Sequence, residues 1–197
     1  QNAIMAITGK MHDLIAAGKQ YNIEQDTMKT VWHSLTTQAP RDGQQMLNFI
    51  NKLSQHSIYS SETVNKLAQS FYHVDSSVKH AKDWTNDFIR LGSTMHMTNA
   101  QLAEAGEQFS KIVAGGKASQ EDLNVMINRF PMFGEAIQKA TGKSMKQLQQ
   151  LSQQGKLTSE DFVKAMDYLG KKYKSGQAEA MTSYMGMSMY LKSRFSK

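Results

Sequence analysis

Gly142-Lys143-Ser144 is the stretch of this sequence nearest to a phosphate-binding element, because it carries the Gly-Lys-hydroxyl tail of a loop whose backbone amides cradle phosphates. That loop also needs a glycine five positions before Gly142, where Ile137 stands, and a buried strand ahead of it, which the pattern does not supply. Gly116-Lys117 fails the same test: Lys111 occupies the glycine position and Ala118 replaces the hydroxyl that would bind magnesium. The six histidines are dispersed, and none forms the His-Glu-x-x-His pair that puts two zinc ligands on one helical face. His73, Asp75, His80 and Asp83 come nearest to a cluster, but Asp75-Ser76-Ser77 reads as a cap between two helices, which makes the group a solvated helix junction. Ser188 lacks the second glycine of a nucleophile elbow and sits in a helical pattern. Glu104, Glu107 and Glu135 are carboxylates with no partner placed by spacing, whereas glycoside cleavage needs a positioned pair. The expectation is a protein that is not an enzyme, with no catalytic, cofactor-binding or metal site.

The same polar residues make sense as architecture. Gly116-Lys117-Ala118-Ser119-Gln120-Glu121-Asp122-Leu123 and Gly155-Lys156-Leu157-Thr158-Ser159-Glu160-Asp161-Phe162 follow one formula: a glycine to leave one helix, a hydroxyl N-cap, acids in the first turn facing the positive helix end, then an apolar residue. Gly142-Lys143-Ser144-Met145-Lys146-Gln147-Leu148 is a looser third copy. This punctuation predicts short helices near 119–130, 133–141, 144–154 and 158–174. Upstream, Val64, Leu67, Ala68, Phe71 and Tyr72 recur at three- and four-residue steps after Ser60-Ser61, and Trp84, Phe88 and Leu91 continue in a helix expected to end at Gly92. Thr98, with Gln101 as its capping-box partner, opens the next helix, buried through Leu102, Ala105, Phe109, Ile112 and Val113. Before Tyr59 the expected pieces are helices over 3–17 and 24–37, a break at Pro40 and a helix over 43–55. A last helix is expected from about Ala178.

Strand signals are nearly absent: period-two alternation is not sustained and no Asn-Gly or Asp-Gly turn occurs. The fold class expected is therefore all-α, a multi-helix orthogonal bundle of short amphipathic helices joined by tight glycine turns. Its organisation is read as a helical lead-in over 1–97 and a helical domain over 98–197, or as one continuous domain.

A chain of 197 residues can bury a real core, roughly 70% of the surface its unfolded form exposes. With no cysteine there is neither a disulfide framework nor a thiolate metal site. No run approaches the roughly 18 apolar residues that span a bilayer. The net charge of +6 is spread over every helix instead of forming a basic block or a recognition face. The termini, Gln1 and a helical pattern running to Lys197, suggest a piece of a longer polypeptide.

Fourteen methionines remain to be explained. Met is flexible and polarizable, and suits either irregular core gaps or surfaces that repack against a partner. Met126, Met145 and Met166 lie in amphipathic stripes and read as core. Met181, Met185 and Met189, at four-residue steps with Leu191 and Phe195 beyond, fit a core or a contact with partner protein equally well.

The order and spacing of these elements resemble the N-terminal domain of phage tail tape measure proteins. The resemblance runs from Leu102 to Phe195 and rests on Gly116-Lys117, Ser119 to Leu123, Arg129-Phe130-Pro131-Met132-Phe133, Gly142 to Leu148, Gly155 to Thr158 and Ser175 to Met181. Phe130, where a small or aliphatic residue often precedes the proline, and Gln177, in place of the usual alanine, depart from the family pattern. The residues carried over are turn and cap positions: Gly116, Ser119, Asp122, Pro131, Gly142, Ser144, Gly155, Thr158 and Asp161. The resemblance implies a structural segment of a tail tape measure protein of a phage or prophage, helping to set tail length. It implies partners among tail-tube, tail-tip and assembly-chaperone proteins, and residence in the virion tail interior after assembly in the bacterial host cytoplasm. No small-molecule substrate, cofactor or membrane span belongs to that picture. The competing reading of the basic charge is a helical nucleic-acid-binding module, which the scattered Lys and Arg disfavour.

Overall fold

The computed structural model describes the backbone of residues 2–195 and the side chains of residues 15, 16, 18–20, 22–185 and 187. Ten helices run along the described residues: α1 (Asn2–Leu35), α2 (Pro40–Gln55), α3 (Ser61–Asp75), α4 (Val78–Thr94), α5 (Asn99–Gly115), α6 (Gln120–Arg129), α7 (Phe133–Thr141), α8 (Met145–Gln153), α9 (Ser159–Lys172) and α10 (Gly176–Phe195). An isolated antiparallel bridge between Lys117 and Thr158 is the extended pairing among them. The all-α expectation is met. The compact units divide between Asn48 and Phe49, and within the second unit α3 and α4 pack against α5, and α4 also against α9.

In the first unit, α1 is one helix where two were expected. The stretch between residues 17 and 24 contains a lone glycine, Gly18, as its weakest link, and one glycine costs about 1 kcal/mol relative to alanine, too little to break a helix. Pro40 is the first residue of α2, where its missing N–H costs nothing, so the helix starts three residues before the expected Gly43. Trp32 and Met46 are fully buried, and Thr36 donates its hydroxyl back to the Trp32 carbonyl at 2.6 Å.

The second unit is built around α4, which contacts α3, α5, α9 and α10. Helices α3 and α5 start together. The Ser60 amide donates to Asn99 Oδ1 at 3.0 Å and the Tyr59 hydroxyl to the Met97 carbonyl at 2.9 Å, while Gly106 further along α5 lies against Leu67 of α3. The 39-residue offset of the pairs 60/99 and 67/106 is constant over two turns, so α3 and α5 run parallel with α4 as the return segment. Phe71, Trp84, Phe88 and Phe109 meet edge-on or tilted with ring centroids 5.1–6.2 Å apart, and Phe130 joins them through Phe88 at 5.5 Å. Such geometry suits the ring quadrupoles, and removing one buried ring costs about 3–5 kcal/mol. A second layer forms where α7 packs on α9, with Phe133 and Phe162 5.4 Å apart.

Gly92 does not end α4. The helix continues to Thr94, with Met95 as its cap, and His96 takes the left-handed conformation (φ 56°) while the Met97 amide closes on the Gly92 carbonyl at 3.0 Å. Gly92 is small for a packing reason: a Cβ there would stand 2.8 Å from both the Tyr59 hydroxyl and Leu102.

Candidate functional site

Helix punctuation places most of the residues singled out by sequence. Gly116, Gly142 and Gly155 all have positive φ (76°, 70° and 67°), the region where glycine carries no Cβ penalty. Ser119 accepts from the Asp122 amide at 3.1 Å while the Ser119 amide donates to the Asp122 carboxylate at 2.9 Å, a closed capping box. Ser144 and Gln147 form the same reciprocal pair at 3.1 and 2.8 Å, so the copy that reads as loosest in sequence is fully formed. Pro131 holds Phe130 in extended conformation (φ −131°, ψ 94°), which ends α6 and turns the Phe130 ring inward.

Thr158 departs from the formula. It occupies the N-cap position of α9 with extended backbone, but its side chain makes no cap hydrogen bond. The main chain on either side of it is committed elsewhere: the Ala118 amide donates to the Leu157 carbonyl at 2.9 Å and the Ser159 amide to the Gly116 carbonyl at 3.1 Å. The first and last Gly-Lys turns are thus clipped to each other. Asp161, an acid in the first turn of α9, is also buried at 5% exposure and takes the Lys143 ammonium at 2.8 Å. Lys143 is the residue that would face phosphate in a nucleotide loop; here it ties the Gly142 turn to the start of α9. None of these three links is visible in spacing, because each joins segments 18 to 43 residues apart.

The other candidate chemistry resolves into pairs. His80 Nδ1 sits 2.5 Å from Asp75 and stacks on Trp84, while Asp83 pairs with Lys79 at 2.7 Å and His73 stays exposed. Glu104 pairs with Arg129, Glu107 with Lys111 and Glu135 with Lys139. Among the described residues no three His, Asp or Glu side chains gather as a metal site, and no helix is long and apolar enough to cross a membrane.

Two surface features remain. Along α10, Tyr184, Met185 and Met187 are 53–60% exposed, and Met181 and Met185 line a groove of about 590 Å³ with Gln55, His56, Arg90 and Gln177. Gln177 fixes the base of α10 by donating to the His56 carbonyl at 2.8 Å. The side chain of Met189 lies outside the described residues. Sequence reasoning missed the second feature, a cleft of about 340 Å³ between α4 and α9 lined by Lys79, Asp83, Asn86, Asp87, Arg90, Asp167 and Lys171. Asp87 is buried there beside Asp167, and burial first, then the neighbouring carboxyl, pushes it up to about 9. The signal that could have found it is an Asp between Trp84 and Phe88 on the buried stripe of a helix.

The described residues form an all-helical bundle whose polar motifs are spent on caps, clips and pairs. The tape measure protein family model matches residues 12–197, so the chain belongs to the tape measure protein family, a structural component of phage tails. The match begins well before Leu102, where the motif resemblance starts, and takes in most of α1. Searches of curated proteins and of solved structures returned no match.

Proposed function

We propose that this chain is a folded assembly segment of a tape measure protein that helps set tail length and engages tail-tube, tail-tip or chaperone proteins. The family match supports the tail context, and the half-exposed Tyr184, Met185 and Met187 carry the binding part of the reading. Apolar side chains left in water along one helix are the kind of surface that partner protein covers, and methionine adapts to the partner's shape. The groove beside Met181 and Met185 gives a partner side chain somewhere to insert.

In this reading length itself is encoded by extended helix, which advances about 1.5 Å per residue, and the compact second unit is an attachment point. The working location is the tail interior, reached from the host cytoplasm during assembly. The test uses a phage carrying the parent gene. Changing Met181 and Met185 to Ser should leave the fold intact by circular dichroism and reduce the yield of tails, while the tails that do form keep normal length in electron micrographs. Normal yield with both substitutions sinks the binding reading. In purified form the chain should bind tail proteins with little salt dependence; binding to DNA that falls steeply with salt would favour the nucleic-acid module instead.

A further inference from the structure

Asp87 is the one carboxyl of the α4–α9 cleft that is nearly sealed from water, at 6% exposure. Its Oδ2 is buried and meets no donor from the protein. Across the helix contact a second carboxyl, Asp167, lines the same cleft and acts on Asp87 as a neighbouring acid. Gly170, one turn along α9, makes this approach possible: a Cβ there would overlap Asp87 Oδ1 and stand 2.5 Å from Cγ. Two ionised carboxyls cannot hydrogen-bond to each other, since both are acceptors only. A buried acceptor without a donor costs about 1–3 kcal/mol, and a like charge beside it adds repulsion. A proton held between the two groups answers both problems at once.

We propose that Asp87 and Asp167 form a proton-operated latch between α4 and α9, docked while the pair holds one proton and loosened when that proton is lost to hydroxide in solution. The cleft gives the proton its route, because both carboxyls line it and Asp167 is only half-buried. The charged groups facing the pair come from the two helices that line it: Lys79, Asp83 and Arg90 on α4, and Lys171 on α9. Arg90 and Asp83 act in opposite senses, the first favouring the ionised form of Asp87 and the second disfavouring it. The larger effects, burial and Asp167, favour the protonated form.

The sign of the pH dependence follows. With Asp87 moved from 3.8 in the open chain to about 9 in the folded one, the folded state binds the extra proton. The contribution to stability is complete below about pH 4 and is lost as pH rises through 9. The experiment compares the full chain with Asp87→Asn, whose amide supplies a permanent donor. The ratio of the wild-type to the variant unfolding constant, from denaturant titrations, should grow by up to about tenfold per pH unit between pH 5 and 8. A ratio constant over that range overturns the proposal. Should Asp87→Asn fail to fold, carboxyl-carbon NMR of the wild-type chain decides. Asp87 should titrate far above the ordinary carboxylate range, and Asp167→Asn should bring its midpoint down by more than a unit. A midpoint near 4, or one unmoved by Asp167→Asn, overturns the shared proton. Hydrogen exchange completes the test: α9 amides of the wild-type chain, compared with Asp87→Asn at equal pH, should lose protection selectively above the midpoint, and uniform protection overturns the latch.

Discussion

A glycine can be an absence of strain or an absence of atoms, and at residue scale the two kinds call for opposite outcomes. Gly115, the last residue of α5, has open space around it, so Gly115→Ala should raise stability by about 0.5–1 kcal/mol in a denaturant titration. Gly170 faces the Asp87 carboxyl, and Gly170→Ala should cost about 1–3 kcal/mol, since α9 must move away from α4 to admit a methyl. Phe88 contacts Phe71, Phe109 and Phe130 from the middle of α4, and Phe88→Ala should cost about 3–5 kcal/mol. Residue identity alone did not separate these glycines. Gly92 looks like a helix stop because its neighbours in sequence do not reveal that Tyr59 and Leu102 arrive from two other segments.

At the scale of the element, start and stop signals were readable because caps act within three residues. Ser119, Ser144 and Thr98 close their own boxes with Asp122, Gln147 and Gln101, all inside one helical turn. The same logic separates real caps from apparent ones. Ser119→Ala and Ser144→Ala should each cost about 1 kcal/mol, whereas Thr158→Ala should cost less than about half of that, because no cap bond is lost. Thermal melts of the three variants side by side would check it, and equal losses would mean that the Thr158 hydroxyl does serve α9. The Asp161–Lys143 pair and the clip at Lys117 lay beyond sequence reading, since charge and hydroxyl patterns say nothing about which turn lies beside which. The long α1 departs from the two helices expected for the converse reason: Gly18 is only a mild local breaker, and no strong one stands between residues 17 and 24.

For the molecule as a whole, the fold class was legible and the grouping of helices was not. Ten helices follow from periodicity and punctuation, but where one compact unit ends depends on contacts such as α4 on α9, made by residues some 80 positions apart, as with Asp87 and Asp167. The aromatic cluster of the second unit draws on α3, α4, α5 and Phe130, all beyond residue 60. A piece spanning Pro40–Lys197, which keeps α2 whole, should therefore unfold in a single cooperative transition by circular dichroism, with near-ultraviolet signal from Trp84 lost in the same step. A broad, non-coincident transition would show that this core does not stand without α1.

The pairing of Lys117 with Thr158 also has a mechanical side. The chain enters and leaves the α6–α8 excursion at adjacent points, so a pull transmitted along the backbone from α5 to α9 passes across the hydrogen bonds Ala118–Leu157 and Ser159–Gly116 and bypasses three helices. In this antiparallel pair the Ser159–Gly116 bond is loaded before the Ala118–Leu157 bond, and the contact of α5 with α9 shares the load. Behind that clip the packing of α7 on α9 and the Lys143–Asp161 pair still hold the excursion, and when they give way it would pay out on the order of 140 Å of chain at about 3.4 Å per residue, a step that optical-tweezer extension could resolve.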